Sequence, residues 1–360
     1  MASKSPVRRV LIAGPKPPPW GGAAVSFDIF CRYCQENSLA NFRCSFFDLR
    51  WRSSSQEPLA AFWAIFRNLL LFSRCFFTAL VNDHLVLFGS QRFVTWFAAP
   101  LTLLLYPFGV TVSIRVFGGG YDGYLAAFPS FLSSMVCFCL GLTKSIVFQT
   151  KELQTTLQEK IATEIRVVPN YRERGDSVTS PREGSVCFTY AGFVRPQKGI
   201  NELITAFNEL REEGMDIKLN LLGPLFLDEL SDVTLSAEGI ELHGELSQEE
   251  VLKQLQESDV FVYPTYWERE GIPGVLLEAG LAALPIITTR WKAIPSLIVD
   301  GKNGLLVEPR SVDSLKDAMK RLVDDEELAK ELAKDCLVTM GEYEAQKVCP
   351  ELASALFLSS

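Results

Sequence analysis

The sequence has little of the material from which metal sites and disulfide-stapled folds are built. It contains only two histidines, His84 and His243, and shows no carboxylate–histidine cluster with the spacing of metal ligands. Its nine cysteines are an odd number without a disulfide-like framework. We therefore expect no metal site, and a protein of a reducing compartment.

Uninterrupted apolar runs long enough to cross a membrane are also scarce, since a spanning helix needs roughly 20 apolar residues. The apolar stretch 59–81 carries Arg67 and Arg74, and the stretch 125–142 contains Pro129. A strand-like run follows each stretch, so both are predicted to be buried or interfacial helices. The N-terminus has only a short apolar run, typical of a first strand and not of a signal peptide. We expect a cytoplasmic protein, with the inner face of the membrane as a further possibility.

The bulk composition is that of a globular chain with two domains. The 360 residues are 48% hydrophobic and 22% charged, which provides ample apolar surface to bury. The net charge of −8 is unevenly spread, because residues 1–150 hold 13 basic and 6 acidic side chains and 19 of the 25 phenylalanines. A basic, aromatic half indicates contact with an anionic surface or ligand. A Phe-rich core beside solvated arginines is the alternative.

Short β-like runs alternate with longer helical stretches along the whole chain. Such alternation predicts parallel sheets with crossover helices. Ten strands are predicted, at residues 7–14, 85–90, 111–120, 145–150, 165–170, 186–193, 217–223, 240–244, 260–264 and 285–289. Ser247 and Glu250 form the pattern of a capping box at the start of one helix.

One polar stretch, 171–185, interrupts this alternation and is predicted to be a linker because of its Gly, Pro and charge content. It separates a domain at 1–170 from a domain at 186–340, and a helical tail is expected at 341–360. The predicted fold is α/β, with two Rossmann-like doubly wound domains and a ligand cleft between the carboxyl ends of their strands.

A dinucleotide-dependent oxidoreductase is one function that such domains support. Its G-x-G-x-x-G fingerprint after the first strand is missing, because Gly14 is followed by Pro15 and Lys16. This function is therefore disfavoured.

The segment 263–289 combines carboxylates with a Gly/Pro-rich loop between a strand and a helix. Its notable residues are Glu268, Glu270, Gly271, Pro273, Gly274, Val275 at the expected helix start, and Glu278. Free backbone N–H groups at a helix start suit a phosphate. Glu278, one or two turns into the helix, is placed to accept hydrogen bonds from the vicinal hydroxyls of a ribose. By spacing alone, a plain strand–loop–helix with solvated carboxylates is equally consistent.

Glu270 and Glu278, with seven residues between them, resemble the E-x7-E motif of the retaining glycosyltransferases of family 4, which have the GT-B fold. Other segments occur in the order found in that family: 191–199 (AGFVRPQKG), which is similar to its GxxxPxKG segment, His243-Gly244, 260–264, 278–280 and 300–304. The resemblance implies that Glu270 faces the transferred sugar and that Glu278 binds the nucleotide ribose.

The same resemblance assigns roles to the basic segment. It implies that Arg195 and Lys198 stabilise the diphosphate leaving group, where fixed cations oppose the developing negative charge without a metal or other cofactor. Surface salt bridges are the alternative for these two side chains. Gly271, Gly274 and Val275 are expected to line the donor site. His243 is expected to line the nucleotide pocket through its loop.

The first domain matches the family less well. Gly21-Gly22 before a helix resembles the family's GG loop near the diphosphate, although Gly-Gly is also a common turn. Many members place a histidine close to the segment 115–122, and this chain has none there. Asp122 or Arg115 is the candidate replacement, and Asp122 is the candidate acceptor base. A flexible turn is the alternative for this Gly-rich segment.

The implied function is that of a retaining glycosyltransferase in polysaccharide or glycolipid biosynthesis. It would move a sugar from a nucleotide-sugar, with UDP as the expected nucleotide, to a saccharide or lipid-linked saccharide on the first domain, onto which the tail helix would pack back. The basic, aromatic half suggests peripheral contact with an anionic membrane, and no nucleic acid partner is expected. A non-catalytic nucleotide-sugar-binding homologue of the same fold is the alternative.

Overall fold

The computed structural model describes residues 7–37, 41–50, 58–175, 184–226, 230 and 238–358. The chain divides into two compact units. The first unit consists of Met1–Pro169 together with Gln346–Ser360, and the second consists of Asn170–Ala345. Each unit contains one six-stranded sheet in which the neighbouring strands are parallel.

The sheet of the first unit has the strand order β2-β1-β3-β4-β5-β6. Its strands are β1 (Arg8–Gly14), β2 (Phe42–Asp48), β3 (His84–Ser90), β4 (Thr111–Phe117), β5 (Ser145–Phe148) and β6 (Ile165–Val167). Its helices are α1 (Gly22–Glu36), α2 (Pro58–Leu80), α3 (Gln91–Phe93), α4 (Ala99–Leu105), α5 (Tyr121–Ala126), α6 (Ser130–Gly141) and α7 (Lys151–Gln158), with a π-turn at Val94–Ala98 and a 3-10 turn at Tyr106–Phe108. The inner strands β3 and β4 are buried at nearly every position because a parallel sheet is covered on both faces.

The sheet of the second unit has the order β12-β11-β10-β7-β8-β9. Its strands are β7 (Val186–Ala191), β8 (Ile217–Leu222), β9 (Ile240–Gly244), β10 (Val260–Tyr263), β11 (Ile286–Thr289) and β12 (Leu305–Val307). Its helices are α8 (Ile200–Glu212), α9 (Gln248–Gln256), α10 (Gly274–Leu281), α11 (Val312–Asp324) and α12 (Glu326–Met340), with 3-10 turns at Pro196–Lys198, Ile294–Ser296 and Gly341–Tyr343.

The direction of winding in the second unit reverses beside β7. The strands β8 and β9 follow on one side of it, whereas β10, β11 and β12 lie on the other. The loops that leave the carboxyl ends of β7 and β10 therefore diverge and leave a crevice, which is where open α/β sheets bind ligands. The structure thus marks the ends of β7 and β10 as the place to look for a site.

All ten predicted strands are present, and the predicted fold class of two doubly wound α/β units is confirmed. The predicted linker differs at its start. Tyr171 and Arg172 are buried, and the backbone of Arg172 pairs with residues 343–345 through Arg172 N–Tyr343 O at 3.1 Å and Ala345 N–Arg172 O at 2.8 Å. The polar composition of this stretch suggested that it is exposed to solvent. Its start is buried because residues 343–345, which lie far along the chain, cover it. Residues 176–183 of that linker lie outside the described residues.

The C-terminal segment packs in the first unit, as α13 (Ala345–Ala353) followed by a π-turn at Ser354–Leu358. Its terminal carbonyls are satisfied by side chains of the first sheet. Leu356 O accepts hydrogen bonds from His84 Nε2 and Ser113 Oγ, each at 2.9 Å, and Ala355 O accepts one from Ser145 Oγ at 2.9 Å. Such partners replace the intrahelical donors that a helix end lacks.

Candidate active site

Two side chains of opposite charge meet at the carboxyl edge of the second sheet, beside the reversal at β7. Lys198 ends the 3-10 turn that follows β7, and Glu270 lies in the loop between β10 and α10. Lys198 Nζ donates a hydrogen bond to Glu270 Oε2 at 2.6 Å. The two side chains are only 9% and 11% exposed. The fold therefore brings together two residues that the sequence analysis named for separate tasks.

Two hydroxyl groups complete the surroundings of Glu270. Thr265 Oγ1 donates to Glu270 Oε2 at 2.9 Å, and Tyr263 Oη donates to the same atom at 3.3 Å while accepting from Lys198 Nζ at 2.9 Å. Burial, and then the charge of Glu270, raise the pKa of Tyr263 well above its ordinary value, so the phenol keeps its proton and acts as a donor. Three donors on one oxygen fix the orientation of the carboxylate.

Tyr263 and Thr265 were not named as site residues from the sequence. A signal was present, because Tyr263 ends a buried strand and Thr265 follows it, immediately before the Glu-containing loop. Polar side chains at that position of a parallel strand point toward the ligand edge of the sheet.

Gly199 allows the two loops of the site to approach each other. It has a φ of 75° and is the N-cap of α8, and a Cβ at this position would overlap the carbonyl of Pro264. Only glycine combines this left-handed conformation with so close a backbone approach. The position of Lys198 over the end of β10 therefore depends on the glycine that follows it.

Arg195 lies among aromatic rings. Its guanidinium carbon is 4.8 Å from the centroid of the Trp267 ring and 5.1 Å from that of Phe226, and Nε donates to Gln197 Oε1 at 3.1 Å. Lys198 Nζ is 5.8 Å from the Trp267 ring centroid. Trp267, which the sequence analysis did not name, thus borders both predicted cations and holds them through their attraction to its ring face.

Glu278 lies on α10, and its side chain is buried. It forms an ion pair with Arg172 through Oε1 and Nε. Gly274 and Val275 are half-buried at the start of α10, where no side chain caps the helix, and Gly271 is buried in the preceding loop. The unsatisfied N–H groups of a helix start are suited to an anion.

His243 lies at the end of the edge strand β9, two strands away from β7. Its Nε2 is 3.3 Å from Asn220 Oδ1 and 3.7 Å from Glu241 Oε2. Among the described residues the structure thus joins His243 to β8 and β9, and its contact with the nucleotide stays a prediction.

The predicted residues of the first unit lie at the starts of two helices. Gly21 is the N-cap of α1 and Gly22 its first residue, and a Cβ at Gly21 would meet no atom within 4 Å. Asp122 lies in the first turn of α5, after Gly120 with a φ of 112°. Packing therefore does not require glycine at position 21, and the roles of these residues stay predictions.

Arg115 is a structural residue and not a replacement for the family's histidine. Its side chain is buried on β4, and its guanidinium donates to the carbonyls of Phe148, Val168 and Pro169 at 3.0, 2.6 and 2.8 Å. The charge is used to satisfy main-chain acceptors at the end of β5 and after β6, which the sequence pattern could not show.

The described part of the chain holds neither a metal cluster nor a membrane-spanning helix, and its cysteines are not paired. No group of three or more His, Cys, Asp or Glu side chains among them could hold a metal ion. No helix in this part of the chain has both the length and the apolar character needed to span a membrane. All nine cysteines are free thiols.

Comparison with known proteins shows which family the second unit resembles. Residues 172–336 match the family model of glycosyl transferases group 1. The predicted resemblance is thereby confirmed at the level of this group, and the assignment to family 4 stays a prediction. Among curated relatives, the capsular polysaccharide biosynthesis glycosyltransferase CapM of Staphylococcus aureus is 30% identical over 144 residues, which are 39% of this chain and 37% of CapM. The match thus spans less than half of the relative.

Solved structures resemble the chain over almost its whole length. Sucrose-phosphate synthase from Thermosynechococcus elongatus has a TM-score of 0.72 at 14% identity. The superposition covers 96% of this chain and 98% of the synthase. HepE from Anabaena, in complex with UDP-glucose, has a TM-score of 0.71 at 14% identity. The superposition covers 96% of this chain and 98% of HepE. At these identities the likeness concerns the fold, and it confirms the predicted GT-B class.

Proposed function

We propose that this protein is a glycosyltransferase that moves a sugar from a nucleotide-sugar to a saccharide or lipid-linked saccharide, with retention of anomeric configuration. The observation that carries the proposal is the Lys198–Glu270 pair beside the uncapped start of α10. Support comes from the group 1 match, from the relative CapM, named for capsular polysaccharide biosynthesis, and from the structural neighbour HepE, described with UDP-glucose. UDP is therefore the first nucleotide to test.

The chemistry asks for positive charge at the leaving group. The bond between the sugar C1 and the phosphate oxygen breaks with its electron pair on the nucleoside diphosphate. The acceptor hydroxyl oxygen bonds to C1 and gives its proton to a base, for which Asp122 is the candidate. Arg195, Lys198 and the N–H groups at the start of α10 are fixed before the reaction and stabilise the charge as it develops. Glu270, held by Lys198, Tyr263 and Thr265, faces the sugar. The proposed reaction needs no metal.

The first experiment screens UDP-, GDP- and dTDP-sugars by thermal shift, because a bound donor stabilises the folded state by mass action. Donor turnover is then followed as release of nucleoside diphosphate, and the anomeric configuration of the product is read by NMR. A donor that binds without turnover, with any acceptor tried, would favour the non-catalytic homologue over the enzyme. Inversion of configuration would contradict the retaining mechanism.

Glu270→Gln tests the sugar-facing carboxylate directly. We expect its turnover to fall by about a hundredfold or more, since a preorganised charge is lost at the reacting centre. Glu268→Gln is the matched control: Glu268 lies on the same loop, is exposed, and contacts Lys292 at 3.0 Å. Unchanged turnover in Glu270→Gln would refute the assignment.

We further propose that the first unit docks on an anionic membrane, at the inner face in the cytoplasm, where lipid-linked acceptors are reached. One face of α2 exposes Trp63, Phe66, Leu70 and Phe77, at spacings of three, four and seven residues, with exposed fractions between 48% and 66%. A solvent-facing stripe is ordinarily polar. Exposed apolar stripes of this kind suit the boundary between lipid headgroups and acyl chains.

The charges around this face favour anionic lipid. Arg67 and Arg74 fall within the same stripe of α2 and are exposed, and α2 contains no acidic residue. Two more exposed aromatic side chains, Tyr106 and Phe108, lie close to α2. The ring centroid of Phe108 is 5.9 Å from that of Phe76 on α2. Each arginine near an anionic surface contributes about 1 kcal/mol of attraction.

Vesicle co-sedimentation at low salt tests this docking. We expect binding to phosphatidylcholine vesicles that contain phosphatidylglycerol, and about tenfold weaker binding by the variant Leu70→Gln/Phe77→Gln, because apolar area buried in the membrane is lost. Val338→Gln is the control, since Val338 is 70% exposed on the second unit. Equal binding to vesicles with and without the anionic lipid would remove the proposal.

A further inference from the structure

Arg172 has a position that its polar sequence context did not predict. It is almost completely buried, and its guanidinium forms an ion pair with Glu278 of α10, with side-chain exposures of 2% and 6%. Its Nη1 also donates to the carbonyl of Tyr171 at 2.8 Å. A buried charge is tolerated only when it is paired and hydrogen-bonded, so the guanidinium and the carboxylate depend on each other.

The backbone around Arg172 is held from two sides. Arg172 N donates to Tyr343 O at 3.1 Å, and Ala345 N donates to Arg172 O at 2.8 Å. Asn170, two residues earlier, donates from Nδ2 to Ile272 O at 3.2 Å, which ties the segment to the loop before α10. The starting point of the Arg172 side chain is therefore fixed relative to the helix that carries Glu278.

Gly274 is glycine because of this arginine. A Cβ at position 274 would overlap the Arg172 guanidinium, so the guanidinium packs directly against the first residue of α10. A cation at a helix N-terminus is disfavoured by the helix dipole. The arrangement is nevertheless built into the fold, and the carboxylate of Glu278, one turn further along, offsets that cost.

We propose that Arg172 is a positioning residue for the ribose-binding carboxylate. It holds Glu278 Oε1, keeps the carboxylate in one orientation, and leaves the remaining acceptor positions of Glu278 for the 2′- and 3′-hydroxyls of the donor nucleotide. An ionised carboxylate offers about four lone-pair positions, so one guanidinium bond does not exhaust it. The inference rests on the proposed function, because it assumes that Glu278 binds the ribose.

The test compares each nucleotide with an analogue that lacks the diol. Affinities for UDP, GDP and their 2′,3′-dideoxy analogues are measured by calorimetry on the full chain. We expect the wild type to prefer the diol by about tenfold or more, as expected for hydrogen bonds to a charged group. In Arg172→Lys, which keeps the cation but loses the planar fork, most of this preference disappears while the affinity for the dideoxy analogue stays within about twofold.

Arg174→Lys is the matched control, because Arg174 lies two residues further on, is exposed, and forms an ion pair with Glu344 at 3.7 Å. We expect Arg174→Lys to prefer the diol nucleotide over its dideoxy analogue as strongly as the wild type does. If Arg172→Lys lost the same factor of affinity for the diol nucleotide and for its dideoxy analogue, the role of Arg172 would be purely structural. That result, or an unchanged preference for the diol, would overturn the inference and leave the proposed function standing. If the wild type bound no nucleoside diphosphate, the proposed function would fail and the inference with it.

Discussion

At the residue scale, the second unit concentrates its buried charges in two pairs beside α10. Lys198 and Glu270 form one pair, and Arg172 and Glu278 form the other. Charges with so little exposure lose much of their hydration, and removal of one partner leaves the other uncompensated at a cost of several kcal/mol. Any substitution in these pairs should therefore be judged by folding as well as by activity.

Gly274→Ala is expected to destabilise the protein by about 1–3 kcal/mol, because the new Cβ overlaps the Arg172 guanidinium and the ion pair with Glu278 must shift. Urea unfolding measures the change. Gly123→Ala is the control, since a Cβ at that position in α5 would meet no atom within 4 Å. Equal stabilities of Gly274→Ala and the wild type would show that the guanidinium can move aside without cost.

His84 is expected to make the stability of the first unit depend on pH. Burial, and then the charge of Lys144, lower its pKa to about 4 from the ordinary 6.5. Since Leu356 O can only accept, Nε2 carries the proton of the neutral ring. The unfolded chain gains a second ring proton below about pH 6.5, whereas the folded chain gains it only near pH 4. Stability is thus complete above pH 6.5 and falls as the pH is lowered toward 4, by up to about 3 kcal/mol.

Urea unfolding at pH 7.5 and pH 5 measures this dependence. His84→Gln should show a smaller loss between the two pH values than the wild type, because glutamine does not titrate. His243→Gln, changed at the edge of the second sheet, should keep the loss seen in the wild type. The same loss in His84→Gln as in the wild type would assign the dependence to other groups.

At the element scale, the predicted capping box of α9 is present and confirmed. Glu250 N donates to Ser247 Oγ at 3.3 Å, and Ser247 N donates to Glu250 Oε2 at 2.7 Å. Ser247→Ala removes the first of these bonds and is expected to lower stability by about 1 kcal/mol in urea unfolding. Glu249→Gln, in the same exposed turn, is the control with a change within about 0.5 kcal/mol. A similar loss of stability in both variants would show that the capping box does not stabilise the protein.

The two strands that were missed, β2 and β12, both lie at sheet edges, whereas every inner strand was predicted. Inner strands such as β3 and β10 are buried at nearly every position, so a short apolar run in the sequence predicts them. β2 has no buried residue, because all its positions are exposed or half-buried, and β12 has only three residues after a turn. An edge strand pairs with only one neighbour and carries a weaker burial signal, so of the four edge strands β6 and β9 were predicted and β2 and β12 were not.

At the scale of the whole molecule, the last segment of the chain completes the first unit and not the second. We expect a chain that ends at Ala345 to lose the cooperative folding of the first unit, because His84, Ser113 and Ser145 lose their carbonyl partners in the interior. Limited proteolysis should then cleave the first unit while the second stays intact. A chain ending at Leu358 is the control, and equal resistance of both chains would contradict the expectation.

The sequence by itself determined the strand–helix alternation, the two α/β units and the segment around Glu270 and Glu278, because these depend on residues close together in the chain. Tertiary structure alone decided which side chains meet. Lys198 and Glu270 lie 72 residues apart and Arg172 and Glu278 lie 106 apart. Their pairing follows from the strand order around β7 and from a returning segment at 343–345, and no local pattern encodes the order in which non-consecutive strands assemble.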